Sequence, residues 1–165
     1  QYGFHHFDWN KKEDSVKVIW ADFEVNVSTE TLEGMAYQGG IILLGDHNKK
    51  AVNQATRYFN NDSFWLVAPY KLNDPGVLLS SVKVPKGHGL LVTYKQGGST
   101  PGDTYLWLLD ENYFPRAWKM WVKMLPIGGV KSEWMGWKKR KGAWFPGNFE
   151  TLYWYKKEVK DLVVY

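Results

Sequence analysis

The chain has 165 residues, is 44% hydrophobic and 17% aromatic, and carries a net charge of only +4. One domain accommodates that length, the charge is too small for a dedicated nucleic-acid surface, and the lack of Cys excludes disulfides, thiolate nucleophiles and thiolate metal sites. The longest apolar run, Gly40-Ile41-Ile42-Leu43-Leu44, falls far short of the ~20 residues that cross a bilayer as a helix.

The chain opens on Gln1-Tyr2-Gly3-Phe4-His5, already inside a strand-like aromatic pattern and without a signal peptide. It reads as a processed or truncated fragment with N-terminal elements missing. Turn signals then recur at short intervals between β-branched and aromatic runs, the pattern of antiparallel β structure. Strands are predicted over residues 3–9, 15–20 and 23–27, with residues 34–40 as a loop. Ala51, Val52, Ala55, Tyr58 and Phe59 fall at helical spacing, which predicts one amphipathic helix over residues 49–60, capped by Asp46 or Asn48. Further strands are predicted over 77–84, around Leu90, Val92 and Tyr94, over 104–109, and over 116–125. In the last of these Trp118, Met120, Val122 and Met124 face one way and Ala117, Lys119, Trp121 and Lys123 the other. Residues 104–109 are apolar on both faces, as in a central strand covered on both sides. Strands over 130–138, 149–156 and 159–164 complete a meander of roughly nine strands, a curved antiparallel sheet or unclosed half-barrel with a covering helix.

Two segments carry a family resemblance. Asn61-Asp62-Ser63-Phe64-Trp65-Leu66-Val67-Ala68-Pro69-Tyr70-Lys71-Leu72-Asn73-Asp74-Pro75-Gly76 and the later Thr100-Pro101-Gly102-Asp103-Thr104-Tyr105 resemble a signature of LolA-like lipoprotein-carrier domains of the bacterial envelope. Trp118, Trp137, Trp144, Phe145 and Pro146 are similar to further positions of that pattern. The resemblance implies a mainly β (α+β) fold, a single LolA-like domain over residues 1–165, and a periplasmic or envelope location. It also implies binding of a lipid, a lipid-modified protein or another apolar ligand, without catalysis, and contact with envelope partner proteins. Physically the motifs are architectural: Asp62-Ser63 is expected to redirect the chain after the helix, and Asp74-Pro75-Gly76 to turn it into the next strand.

The remaining constellations are weak. His5 and His6 are neighbours on a predicted strand, point to opposite faces and cannot chelate one metal, so no metal or cofactor site is expected. Asp62, Asp74, Asp103 and Asp110 read as turn residues, and no Ser lies in a nucleophile-elbow pattern. Lys138-Lys139-Arg140-Lys141 reads as a solvated hairpin tip, and contact with anionic lipid headgroups is a weaker use of it. The aromatic set is the strongest functional signal. Phe64, Trp65, Tyr105, Trp107, Trp118, Met120, Val122, Met124 and Trp134 are candidates to line an apolar groove, made adaptable by Met. The same side chains equally suit a filled core. The competing reading is a carbohydrate-binding or protein-interaction module that presents Trp121, Trp137 and Trp144 on the outside.

Overall fold

The computed structural model describes residues 3–95, 102–121, 129–151 and 155–165. Among them it is mainly β, with antiparallel, unclosed sheets and one α-helix. Two compact units divide the chain, Gln1–Trp65 and Leu66–Tyr165.

The first unit is a meander. β1 (His6–Asn10), β2 (Ser15–Trp20), β3 (Phe23–Ser28), β4 (Gly34–Gln38) and β5 (Ile41–Ile42) lie side by side in chain order. Val16 and Val18 of β2 and Val25 and Val27 of β3 point to one face, because their strands pair Val16 with Val27 and Val18 with Val25. Against that face lies α1 (Gly45–Val67), through Ala51, Val52, Ala55 and Phe59. The helical spacing read from sequence is therefore the packing face. Phe7 and Trp9 join it from β1, their rings 5.9 and 5.0 Å from that of Phe59.

The observed helix is longer than the expected 49–60. It runs through Asn61–Val67, so Asp62 and Ser63 lie within it and do not redirect the chain. The Ser63 hydroxyl donates to the Phe59 carbonyl one turn back at 2.6 Å, which satisfies it inside the helix. The chain turns later, in a 3-10 helix at Ala68–Tyr70 that holds Pro69, and in the Lys71–Asp74 turn closed by an ion pair at 2.6 Å.

Asn48 is not a cap. Its Oδ1 accepts the Ala36 N–H at 2.8 Å and its Nδ2 donates to the Gly34 carbonyl at 3.0 Å. The amide thus extends the ladder along β4 beyond the short β5. Nor is most of 34–40 a loop: Gly34–Gln38 is strand, and the turn is confined to Gly39 and Gly40. Gly34 lies in β4 because it passes close to β3: a Cβ there would stand 2.2 Å from the Asn26 carbonyl oxygen. A residue that signals a turn in sequence here permits a strand contact.

The second unit holds a larger sheet: β6 (Val77–Val82), β7 (His88–Tyr94), β8 (Thr104–Leu109), β9 (Pro115–Trp121), β10 (Val130–Met135), β13 (Asn148–Thr151) and β14 (Tyr155–Glu158). A separate hairpin, β11 (Lys138–Arg140) and β12 (Ala143–Phe145), leaves it between β10 and β13. One continuous sheet was expected; the described strands instead number fourteen, in sheets of five, seven and two. The expected strand 130–138 stops at Met135, where Gly136 takes φ +64. The expected 149–156 is a pair of strands, β13 and β14. Residues 159–164 form no strand. β8 is interior to its sheet, but only Tyr105 and Trp107 are fully covered, and its other face is half-buried. The predicted turns at 96–102 and 126–129 fall largely outside the described residues.

Asn48→Ala removes two bonds to backbone groups, and a loss of about 1–3 kcal/mol is expected in urea unfolding. Gly34→Ala is expected to cost about as much through overpacking against the Asn26 carbonyl. If both variants unfold at the wild-type urea concentration, β4 is not held in this way.

Candidate functional site

Register decides which side chains of the larger sheet share a surface. Tyr105 pairs with Met120 and Trp107 with Trp118 across β8 and β9. Trp118 in turn faces Ser132, and Trp134 faces Phe149. On the other side Val92 and Leu90 of β7 stand opposite Tyr105 and Trp107. Directly opposed residues project to the same face. Tyr105, Trp107, Trp118, Met120 and Trp134, from three strands, therefore lie on one face.

Of the remaining candidates, Phe64 and Trp65 belong to the first unit, where their rings meet edge to face at 4.8 Å. Val122 and Met124 lie outside the described residues.

The rings of the face pack on one another. Trp134 is the hub, 5.0 Å from Trp107 and 4.3 Å from Trp118, and Trp118 lies 5.5 Å from Phe149. Trp107, Trp118 and Trp134 are buried, while Met120 is half-buried at the border of the cluster. Ser132, fully buried and opposite Trp118, is small enough to leave room for the indole, and its hydroxyl is hydrogen-bonded to Thr151.

One end of the face is polar. Tyr94 and Tyr105 meet at 5.8 Å, and the Tyr105 hydroxyl donates to the buried Asp103 carboxylate at 3.4 Å. Burial pushes the Tyr94 phenol up to about 12, and the Asp74 carboxylate adds to the shift. Tyr105 is raised too, by burial first and then by the charge of Asp103. At neutral pH both phenols hold their protons firmly, and that of Tyr105 is the donor to Asp103.

The opposite face carries an open groove between Leu108, Ala117, Asp110, Arg116, Lys131 and Glu133. Four of its charges pair with one another: Arg116 with Asp110 at 2.7 Å and Lys131 with Glu133. Asp110 also accepts the N–H groups of Asn112 and Phe114 at 2.9 Å each. Hydrogen bonding by the Phe114 N–H, with Arg116 and Asn112 adding to it, holds the Asp110 carboxyl below its usual range. Asp110 is thus the turn-capping group expected from sequence.

One pair escapes sequence reading. His5 Nδ1 donates to Asp62 at 2.7 Å, and the ring stacks on Tyr58 at 3.8 Å. Tyr58 and Asp62 are one helical turn apart, the only trace of the pair in the sequence. Both partners are mostly covered, at 19% side-chain exposure each, and the pair ties the start of the chain to α1. Among the described residues no group of three His, Asp or Glu is placed to hold a metal ion.

Comparison with protein-family models, with curated proteins and with solved structures gives no match.

Trp118→Ala should destabilise the chain by about 3–5 kcal/mol, the cost of an emptied aromatic site in a packed core. Alkaline pH tests the polar end. A phenol whose folded pKa is raised contributes stability that is whole below the free value of about 10 and is lost as pH rises towards 12. The urea midpoint should therefore fall through this window, and the fall should be shallower in Tyr94→Phe.

Proposed function

We propose that this chain is a non-enzymatic binding protein that holds an acyl chain or similar apolar ligand against the aromatic face of the larger sheet. The observation that carries the proposal is the shared register of Tyr105, Trp107, Trp118, Met120 and Trp134. It puts polarizable, weakly directional groups on one surface, which suits a ligand with few polar atoms. The resemblance to LolA-like carriers points the same way and adds the bacterial envelope as location and a lipid or acylated protein as cargo.

The face is closed by its own rings, so a ligand must part some of them. Magnitudes favour this exchange. A ring pair contributes roughly 0.5–1.5 kcal/mol beyond its buried area. Each buried methylene contributes roughly 0.8 kcal/mol. An acyl chain of ordinary length thus offsets the loss of several ring pairs, while the displaced rings stay covered by the chain. Met120, half-buried at the border, has the flexible side chain best suited to open first.

The carbohydrate reading needs a platform of exposed, coplanar rings. Trp121 and Trp144 are each 44% exposed. Trp137 is half-buried, its ring 4.9 Å from Phe114 at 70° and 6.0 Å from Trp134.

A brominated fatty acid, which quenches nearby indoles, provides the test. Wild-type fluorescence should fall saturably on titration. Met120→Glu should weaken binding at least about tenfold by placing a carboxylate on the apolar face. Lys119→Glu, the next residue on β9 and on the opposite face, should bind as wild type. Absence of quenching, or equal effects of the two variants, overturns the proposal.

A further inference from the structure

The β11–β12 hairpin has features that the apolar face does not use. Lys138, Lys139 and Arg140 form β11 and are all exposed; Lys141 and Gly142 make the turn. Lys141 takes φ +46 and Gly142 φ +87, the two left-handed positions of a tight two-residue hairpin. None of the four cations makes an ion pair with a described residue; Arg140 donates only to the Lys139 carbonyl, at 3.2 Å. Taking these four from the 21 basic residues leaves 17, which equals the count of Asp and Glu. The whole net charge of the chain therefore matches that of one narrow finger.

The finger is held in shape. Arg140 pairs with Ala143 next to the turn, so Lys139 and Trp144 form the following pair, in which backbone groups point outward. On that outer edge the Tyr70 hydroxyl accepts the Trp144 N–H at 2.6 Å and donates to the Trp144 carbonyl at 2.7 Å. One phenol thus closes the edge of a two-stranded sheet that would otherwise be marginal. The Trp144 ring stays 44% exposed, on the same face as Lys139.

We infer that this hairpin docks end-on to an anionic lipid surface, with Lys138, Lys139, Arg140 and Lys141 against the headgroups and the Trp144 indole at their level. Cations beside an amphipathic ring match the charge and the polarity gradient of such a surface. Nucleic acid fits less well, because a strand needs a basic track to follow, and outside the finger acidic and basic residues balance. The inference stands independently of the apolar-ligand proposal.

Cosedimentation with vesicles of phosphatidylcholine, with and without an equal part of phosphatidylglycerol, tests it. The wild type should bind only the mixed vesicles and should leave them at high salt. Each cation near such a surface changes binding about fivefold. The triple variant Lys138→Gln, Lys139→Gln, Arg140→Gln should therefore bind on the order of a hundredfold more weakly. Lys138→Arg with Lys139→Arg should retain binding, and Trp144→Ala should weaken it without altering its salt dependence. The triple variant should keep its unfolding midpoint and its quenching by brominated fatty acid, which separates this inference from the apolar-face proposal. Equal binding to neutral vesicles, undiminished binding by the triple variant, or displacement by a single-stranded oligonucleotide at equal phosphate overturns it.

Discussion

Residues directly opposite one another on antiparallel strands project to the same side, and the larger sheet depends on that rule throughout. Trp107, Trp118 and Trp134 are far apart in sequence, yet pairing across β8, β9 and β10 places them on one surface, where their rings meet within 5.0 Å of the Trp134 hub. A slip of one residue on β9 would exchange Trp118 and Met120 for Ala117 and Lys119. The buried Ser132–Thr151 hydroxyl pair belongs to the same register, since it exists only while β10 and β13 stay aligned.

Backbone satisfaction sets a second constraint, and this chain meets it twice with a side chain. The Asn48 amide takes one N–H and one carbonyl of β4 where β5 is too short to reach. The Tyr70 hydroxyl does the same for Trp144 at the edge of β12. In each case a group with both donor and acceptor capacity replaces a length of strand. The result is a shaped end rather than an open edge, and in the hairpin that end carries the net charge.

Much of this was legible in the sequence because it is local or periodic. β2 and β8 form the strands read over residues 15–20 and 104–109, and the apolar spacing of Ala51, Val52, Ala55 and Phe59 is the buried face of α1. The Lys138–Arg140 run reads as a solvated hairpin and is one. Misreadings arose where a residue's usual meaning was reversed by a distant neighbour. Gly34 signals a loop but serves the close approach of β3 and β4. Asp62 and Ser63 signal a helix end but lie inside the helix, one bonded to His5 and the other to its own backbone. Asn48 signals a cap but bonds a strand.

Side-chain period and turn chemistry act over a few residues, so the sequence by itself determined the mainly β class, the amphipathic helix, and the alternation that puts Trp118 and Met120 on one side of β9. Contact partners are set by which strands align and how their edges are completed, which involves residues tens of positions apart. Only the tertiary structure could therefore decide that α1 packs on β1 to β4, that the Trp rings fill the face they line, and that Tyr70 pins the charged hairpin.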